Sequence, residues 1–287
     1  MKILITGATG FIGRNLINKL NESDHEIIGI TRNLSNPELI ISKNIKLVKH
    51  NLNQDNKELF DKIDFPDFLI HLAWEGIPDY EGYFNITQNL TRDIRFIGDL
   101  LERGLRKILV TGTCLEYGKK AKGELYESLQ TNPDTPYGIA KDSLRKILED
   151  LVTLKNANLQ WARLFYIYGE GQRKSSLLGE LEEAIKNNEL TFNMTDGTQL
   201  RDYLHIEEVV QRLNYLINNE NINGIINICS NKPISLKDLV QKVVNEKKSK
   251  IEIKFGKLKK RSYESESFWG SSEKLKIFKD IPQNINN

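Results

Sequence analysis

Tyr137 and Lys141 stand four residues apart in the run Tyr137-Gly138-Ile139-Ala140-Lys141. On a helix that spacing places a phenol and an ammonium one turn apart on one face. A free tyrosine has a pKa near ~10 and is a poor base at neutral pH. A neighbouring cation stabilises the phenolate and lowers that pKa. The pair can then exchange a proton with a carbonyl or alcohol while a nicotinamide exchanges the hydride. Alone the spacing is common, and an exposed helix start after Pro136 would have it too. Thr113 adds a hydroxyl in the segment Thr111-Gly112-Thr113-Cys114-Leu115-Glu116-Tyr117-Gly118. That segment follows an apolar run, and the C-terminal ends of parallel strands face the ligand crevice. Thr113 is therefore placed to hold a reacting oxygen. The plainer alternative is a strand-end threonine bonded to its own backbone.

Hydride chemistry needs a dinucleotide, and the N-terminus offers a seat for one. Gly7-Ala8-Thr9-Gly10-Phe11-Ile12-Gly13 lies between an apolar run and an amphipathic stretch. A pyrophosphate needs backbone donors and a helix N-terminus close by, with no side chains in the way. Gly7, Gly10 and Gly13 supply that clearance in strand–turn–helix context. The end of the second strand reads Ile30-Thr31-Arg32-Asn33. The acid that would accept from the ribose hydroxyls is missing there, and an arginine matches phosphate geometry. Thr31 and Arg32 thus favour NADP(H), with NAD(H) as the alternative if Arg32 only stacks on adenine.

Elements of alternating kind must carry these residues. Ile3–Ile5, Glu26–Ile30, Ile45–Val48, Phe68–Leu72, Lys107–Val110, Leu159–Phe165 and Ile225–Ile228 read as strands. Phe11–Leu20, Ile86–Leu101, Ala140–Leu154 and Leu236–Val243 read as helices. The order predicts an α/β fold, a Rossmann-type doubly wound parallel sheet with helices on both faces. A smaller, discontinuous C-terminal substrate lobe is expected. The division is 1–165, with 202–230 returning to it, as the dinucleotide-binding part, and 166–201 with 231–287 as the lobe. Strands are expected to become scarcer after 165.

At 287 residues the chain can bury a large core, and its net charge of +2 makes no case for nucleic acid. Two cysteines, Cys114 and Cys229, argue for a reducing cytoplasm rather than a disulfide framework. The first apolar run is too short for a signal peptide or a membrane span, and no metal is expected.

Taken in order, these stretches resemble an extended short-chain dehydrogenase/reductase of the nucleotide-sugar epimerase/dehydratase family. The resemblance also rests on Ile70-His71-Leu72-Ala73-Trp74, Asn89, Arg163-Leu164-Phe165-Tyr166-Ile167-Tyr168-Gly169, Arg201-Asp202-Tyr203-Leu204-His205 and Gly224–Ser230. It implies that Tyr137 is the catalytic acid/base, that Lys141 binds the nicotinamide ribose and that Thr113 bonds the substrate oxygen. Asn89 would have a structural or proton-relay part. Implied cofactor contacts are Gly7, Gly10, Phe11, Ile12, Gly13, Thr31, Arg32, Asn51, Leu52, Leu72, Ala73, Tyr137 and Lys141. Implied substrate contacts are Thr113, Tyr166, Arg201 and Arg261, the two arginines toward a diphosphate. A homodimer through the helices 86–101 and 140–154 is expected by the same likeness.

The departures narrow the reaction. Dehydratases of the family carry an Asp-Glu pair after the threonine, where this chain has Cys114 and Leu115. Neither can act as acid or base, which excludes dehydration. Glu116 is one position further on, and strand alternation would turn it away. Tyr166 stands where asparagine is usual, and the family's C-terminal helix is curtailed after Ile281-Pro282. The combination resembles reductases of nucleotide-linked 4-keto-6-deoxy sugars. The expected reaction is an NADPH-dependent 4-ketone reduction. The alternatives are a 4-epimerase with tightly held cofactor and a non-catalytic dinucleotide sensor.

Overall fold

Strands buried on both faces set the architecture. The computed structural model describes residues 1–34, 43–260 and 265–278. β1 (Lys2–Thr6), β2 (Glu26–Thr31), β3 (Ile45–Lys49), β4 (Phe68–His71) and β5 (Lys107–Thr113) join β7 (Asn158–Leu164) and β11 (Gly224–Ile228). β6 (Gly123–Leu125) lies outside this sheet, as do β8 (Tyr166–Tyr168), β9 (Thr191–Asn193) and β10 (Leu200–His205). The seven strands run in the order β11-β7-β5-β4-β1-β2-β3, and every neighbouring pair is parallel. Parallel strands need helical crossovers, so both faces become covered. On one face α1 (Phe11–Leu20) and α6 (Ile206–Ile217) cover Ile3, Ile5, Ile27 and Ile226. On the other α3 (Thr91–Glu102) and α4 (Pro136–Leu154), together with Leu59 of α2 (Lys57–Lys62), cover Leu4, Ile28, Leu69 and Val110.

A second core lies beyond the main sheet. α5 (Leu177–Lys186) and α7 (Leu236–Glu246) enclose Leu181, Phe192, Met194, Val240 and Ile251. Around it are β12 (Pro233–Ser235), which pairs with β10 beside β8, and β13 (Glu252–Lys254), which pairs with β9. β14 (Phe268–Gly270) pairs with β6.

Several expectations need correction. Strands do not become scarce after 165. They become short, three to six residues each, and too brief for periodicity to register. α2, α5 and α6 were not anticipated. Residues 86–101 are not one α-helix: Asn85–Leu90 is a π-helical turn that leads into α3. Its cause is polar. Buried Asn85 accepts from Trp74 Nε1 at 2.8 Å and donates to the carbonyls of Asp79 and Gly82, while Asn89 donates to the Glu75 carbonyl at 3.0 Å. The wider turn lets both amides face the loop 74–84. Residues 114–117 form a 3-10 turn rather than a strand end.

Candidate active site

The turn after β1 is shaped for a close backbone approach. Gly7 has φ +67°, and a Cβ there would meet the Ala73 nitrogen at 2.9 Å. A Cβ on Gly13 would collide with the Gly7 carbonyl oxygen. Gly10 caps α1 with no side-chain hydrogen bond, so the helix presents free N–H groups there. This cradle lies on the wall of a cavity of about 800 Å³. Phe11, Ile12, Thr31, Arg32, Leu52, Leu72 and Ala73 also line it, whereas Asn51 does not. Instead the Asn51 side chain accepts from the Asn53 amide at 3.1 Å. The cradle and its bare helix end fit a dinucleotide pyrophosphate.

The same cavity reaches Thr113, Cys114, Leu115 and Tyr137. Thr113 ends β5, and α4 delivers Tyr137. α4 begins where Thr135 caps it, accepting from the Gly138 N–H at 3.1 Å, with Pro136 in its first turn. The Tyr137 N–H, which has no partner within the helix, donates to the Tyr80 carbonyl at 3.0 Å. Thr113 Oγ1 accepts from the Leu115 N–H at 3.3 Å, so the hydroxyl does bond its local backbone, and its side chain lies beside Tyr137 on the cavity wall. Tyr137 and Lys141 are buried, which rules out an exposed helix start.

Burial is the largest influence on Tyr137 and pushes its phenol pKa well up; Tyr80, Glu116 and Cys114 push it the same way, and the Thr113 side chain opposes. The lowered value expected from Lys141 is therefore not the direction found, because burial and the acidic groups around the phenol act together. Lys141 lies beneath the cavity wall. Its Nζ donates to the Thr111 carbonyl at 2.8 Å and sits 4.0 Å from the centre of the Trp74 ring. Burial lowers its pKa to about 8, against the pull of Asp93 and Glu116. Trp74 also meets Tyr137 edge-on, with ring centres 5.6 Å apart. Trp74 was quoted from the sequence without a role. Its signal was a large aromatic directly after a strand end.

Glu116 does stay out of the cavity, but strand alternation is not the reason. The 3-10 turn folds it inward, where it pairs with Arg163 at 2.8 Å, both fully buried. It also accepts from Trp161 Nε1 and from the Thr113 N–H at 2.7 Å. Cys114 is a free thiol whose pKa burial raises to about 12, and Leu115 is apolar, so neither supplies an acid or base. Asn89 is held by the π turn and does not line the cavity.

At the far end Tyr166 and Arg201 line the cavity. The buried Arg201 guanidinium donates to the carbonyls of Leu200, Ser265 and Glu266. Arg261 and the residues around Ile281-Pro282, where a curtailed C-terminal helix is expected, lie outside the described residues. Among the described residues no helix is long and apolar enough to cross a membrane, and no cluster of three or more His, Cys, Asp or Glu is arranged to hold a metal.

A parallel sheet with a glycine turn after an interior strand, and a Thr-Tyr-Lys set beside one cavity, defines a Rossmann-type enzyme. The chain belongs to the NAD dependent epimerase/dehydratase family, whose model matches residues 3–229. It is similar to dTDP-6-deoxy-L-talose 4-dehydrogenase (NAD(+)) of Aggregatibacter actinomycetemcomitans, 29% identical over 94% of this chain and 100% of that one. It is also similar to a UDP-glucose 4-epimerase of Neisseria meningitidis serogroup C, 26% identical over 73% of this chain and 71% of the relative. Among solved structures it resembles UDP-glucuronic acid 4-epimerase of Bacillus cereus in complex with UDP-glucuronic acid and NAD. That match has a TM-score of 0.81 at 25% identity, covering 100% of this chain and 95% of that one. The family is nicotinamide-dinucleotide dependent, and its relatives here are sugar-nucleotide 4-dehydrogenases and 4-epimerases.

Proposed function

We propose that the protein reversibly reduces the 4-keto group of a nucleotide-linked 6-deoxy sugar, with an exchanging nicotinamide cofactor. The observation that carries this reading is the buried Tyr137 phenol, set with Thr113 on one cavity wall beside Cys114 and Leu115. A bound nicotinamide supplies the hydride. Thr113 and Tyr137 hold the ketone oxygen, and Tyr137 passes its phenolic proton to that oxygen as the alcohol forms. Lys141, charged below pH about 8, then steadies the phenolate that remains. The likeness to a 4-dehydrogenase over 94% of the chain supports the reaction type. Gly7, Gly10 and Gly13 would seat the pyrophosphate, and Tyr166 with Arg201 would face the sugar nucleotide. The glycine turn would seat the pyrophosphate common to both dinucleotides and does not itself choose between them.

The second reading is 4-epimerisation, which the same Thr113, Tyr137 and Lys141 would serve. The named 4-epimerases among the relatives favour it. Stoichiometry separates the two. With a panel of 4-keto sugar nucleotides, a reductase consumes one reduced cofactor per sugar, while an epimerase gives no net change. A cytoplasmic homodimer joined through α3 and α4 is part of the proposal, supported by two free buried cysteines and by α3 lying against α4. Sedimentation at twice the 33.1 kDa chain mass would support the dimer.

A further inference from the structure

Arg32 is the group at the end of β2 that points to a 2′-phosphate, yet its guanidinium is already engaged. Arg32 Nη1 lies 3.2 Å from Glu75 Oε1, and Glu75 comes from the segment after β4. Both residues line the cavity. The Arg32 side chain is 66% exposed, so by itself this pair would be weak and easily opened.

Glu75 is not free to move aside. Arg92 Nη1 sits 3.2 Å from the same Oε1, and the Arg92 side chain is only 3% exposed. Arg92 is fixed in turn, its Nε 2.7 Å from Asp93 Oδ1. Asp93 pairs with His71 at 3.0 Å, and the His71 ring is hydrogen-bonded to Thr6. Thr6 Oγ1 accepts from the Leu72 and Ala73 amides at 3.2 Å, beside the glycine turn. The Glu75 backbone is held as well, since its carbonyl accepts from Asn89 Nδ2. A buried polar chain therefore runs from the floor of the cradle up to Glu75 and keeps its carboxylate beside Arg32. Arg32, Arg92, Glu75 and Asp93 bring two positive and two negative charges to this end of the cavity. A phosphate that reached Arg32 would meet the Glu75 carboxylate at ion-pair range, a like-charge contact on the partly exposed cavity wall. A ribose 2′-hydroxyl carries no charge and can donate to a carboxylate.

We infer that Glu75 is a specificity-determining residue that selects NAD(H) over NADP(H). It supplies from the segment after β4 the carboxylate that the end of β2 lacks, and it is held in place through Arg92. This inference rests on the dinucleotide reading of the cavity. The test is fluorescence titration of the full chain with NADH and NADPH, with no sugar substrate present. The wild type is expected to bind NADH more tightly. Glu75→Gln, which keeps the side chain's size and removes its charge, is expected to raise relative NADPH affinity about tenfold, as loss of one close like-charge contact implies. Arg32→Ala placed on Glu75→Gln should abolish that gain, and added salt should shrink it. Glu75→Ala should show the same preference change should the glutamine variant fold poorly. Binding of neither dinucleotide to the wild type would remove the dinucleotide reading and this inference with it. Binding of both, with tighter NADPH in the wild type or an unchanged ratio in both Glu75 variants, would overturn the inference alone.

Discussion

At the scale of single residues, Tyr137 and Lys141 have changed places relative to free solution. Burial holds the phenol protonated far above neutral pH and brings the ammonium down to about 8. Lys141 is thus the group that titrates within the working range. An amine with a lowered pKa is charged below that value and neutral above it. Activity should therefore fall as pH rises through about 8, and a kcat profile between pH 6 and 10 would register that limb. A profile flat through pH 9 would remove Lys141 from the reaction. Tyr137→Phe keeps the ring contacts with Trp74 and Tyr80 and deletes only the hydroxyl that carries the proton. Turnover should drop roughly 10²–10⁴-fold, the usual range for a positioned acid, with dinucleotide affinity little changed. Unchanged turnover would leave the sensor reading standing.

The next scale is that of elements, and here the loop 74–84 organises the site although it holds no strand or α-helix. It presents Trp74 to Lys141 and Tyr137, and its Tyr80 carbonyl accepts from the first turn of α4. Asn85 anchors it through three hydrogen bonds, to Trp74, Asp79 and Gly82. Asn85→Ala would leave the Trp74 indole N–H and the Asp79 carbonyl without their buried partner, while the Gly82 carbonyl keeps the Asn85 backbone amide. We expect a loss of roughly 2–4 kcal/mol in stability, readable as a lower thermal midpoint. We also expect kcat to fall more than dinucleotide affinity. A midpoint within a degree of wild type would mean the loop is held by other contacts. Much of the remaining architecture could be read in advance. α1 begins and ends where apolar spacing places it, and the strands of the large sheet fall within three residues of their expected bounds. Those elements bury continuous apolar faces, which leave a local pattern. The π turn, the inward fold of Glu116 and the ion pair between Arg32 and Glu75 leave none. The last two depend on a partner far along the chain, as Glu116 does on Arg163 and Arg32 does on Glu75, and the π turn depends on how the loop 74–84 folds back on it. Thr113 and Tyr137 were legible because a strand end and a helix start fix them locally. The raised Tyr137 pKa was not, because spacing reports charge and says nothing of burial.

Across the whole molecule, Asp202 ties the large sheet to the smaller one. Its carboxylate accepts from the Ser230 amide at 2.6 Å and the Asn231 amide at 2.9 Å, just past β11. It also accepts from the Gly270 amide at 3.1 Å, at the end of β14. The neighbouring Arg201 holds the carbonyls of Ser265 and Glu266, so two adjacent residues of β10 clasp the segment 265–270 from both of its backbone sides. Burial pushes the Asp202 pKa up, which shows how far from water this junction lies. The junction sits beside β11, at the sheet edge opposite β2 and β3, where the dinucleotide end of the cavity begins. Damage to it should therefore be uneven. Asp202→Ala would orphan three buried amides and is expected to cost roughly 3–5 kcal/mol in stability. Dinucleotide affinity should survive below the new thermal midpoint, because the glycine turn and its helix rest on β1 and α6 rather than on β14. Limited proteolysis of the variant should cut first between 230 and 270, and earlier than in wild type. Parallel loss of dinucleotide binding and of this segment would show instead that the large sheet and the smaller lobe unfold as one unit.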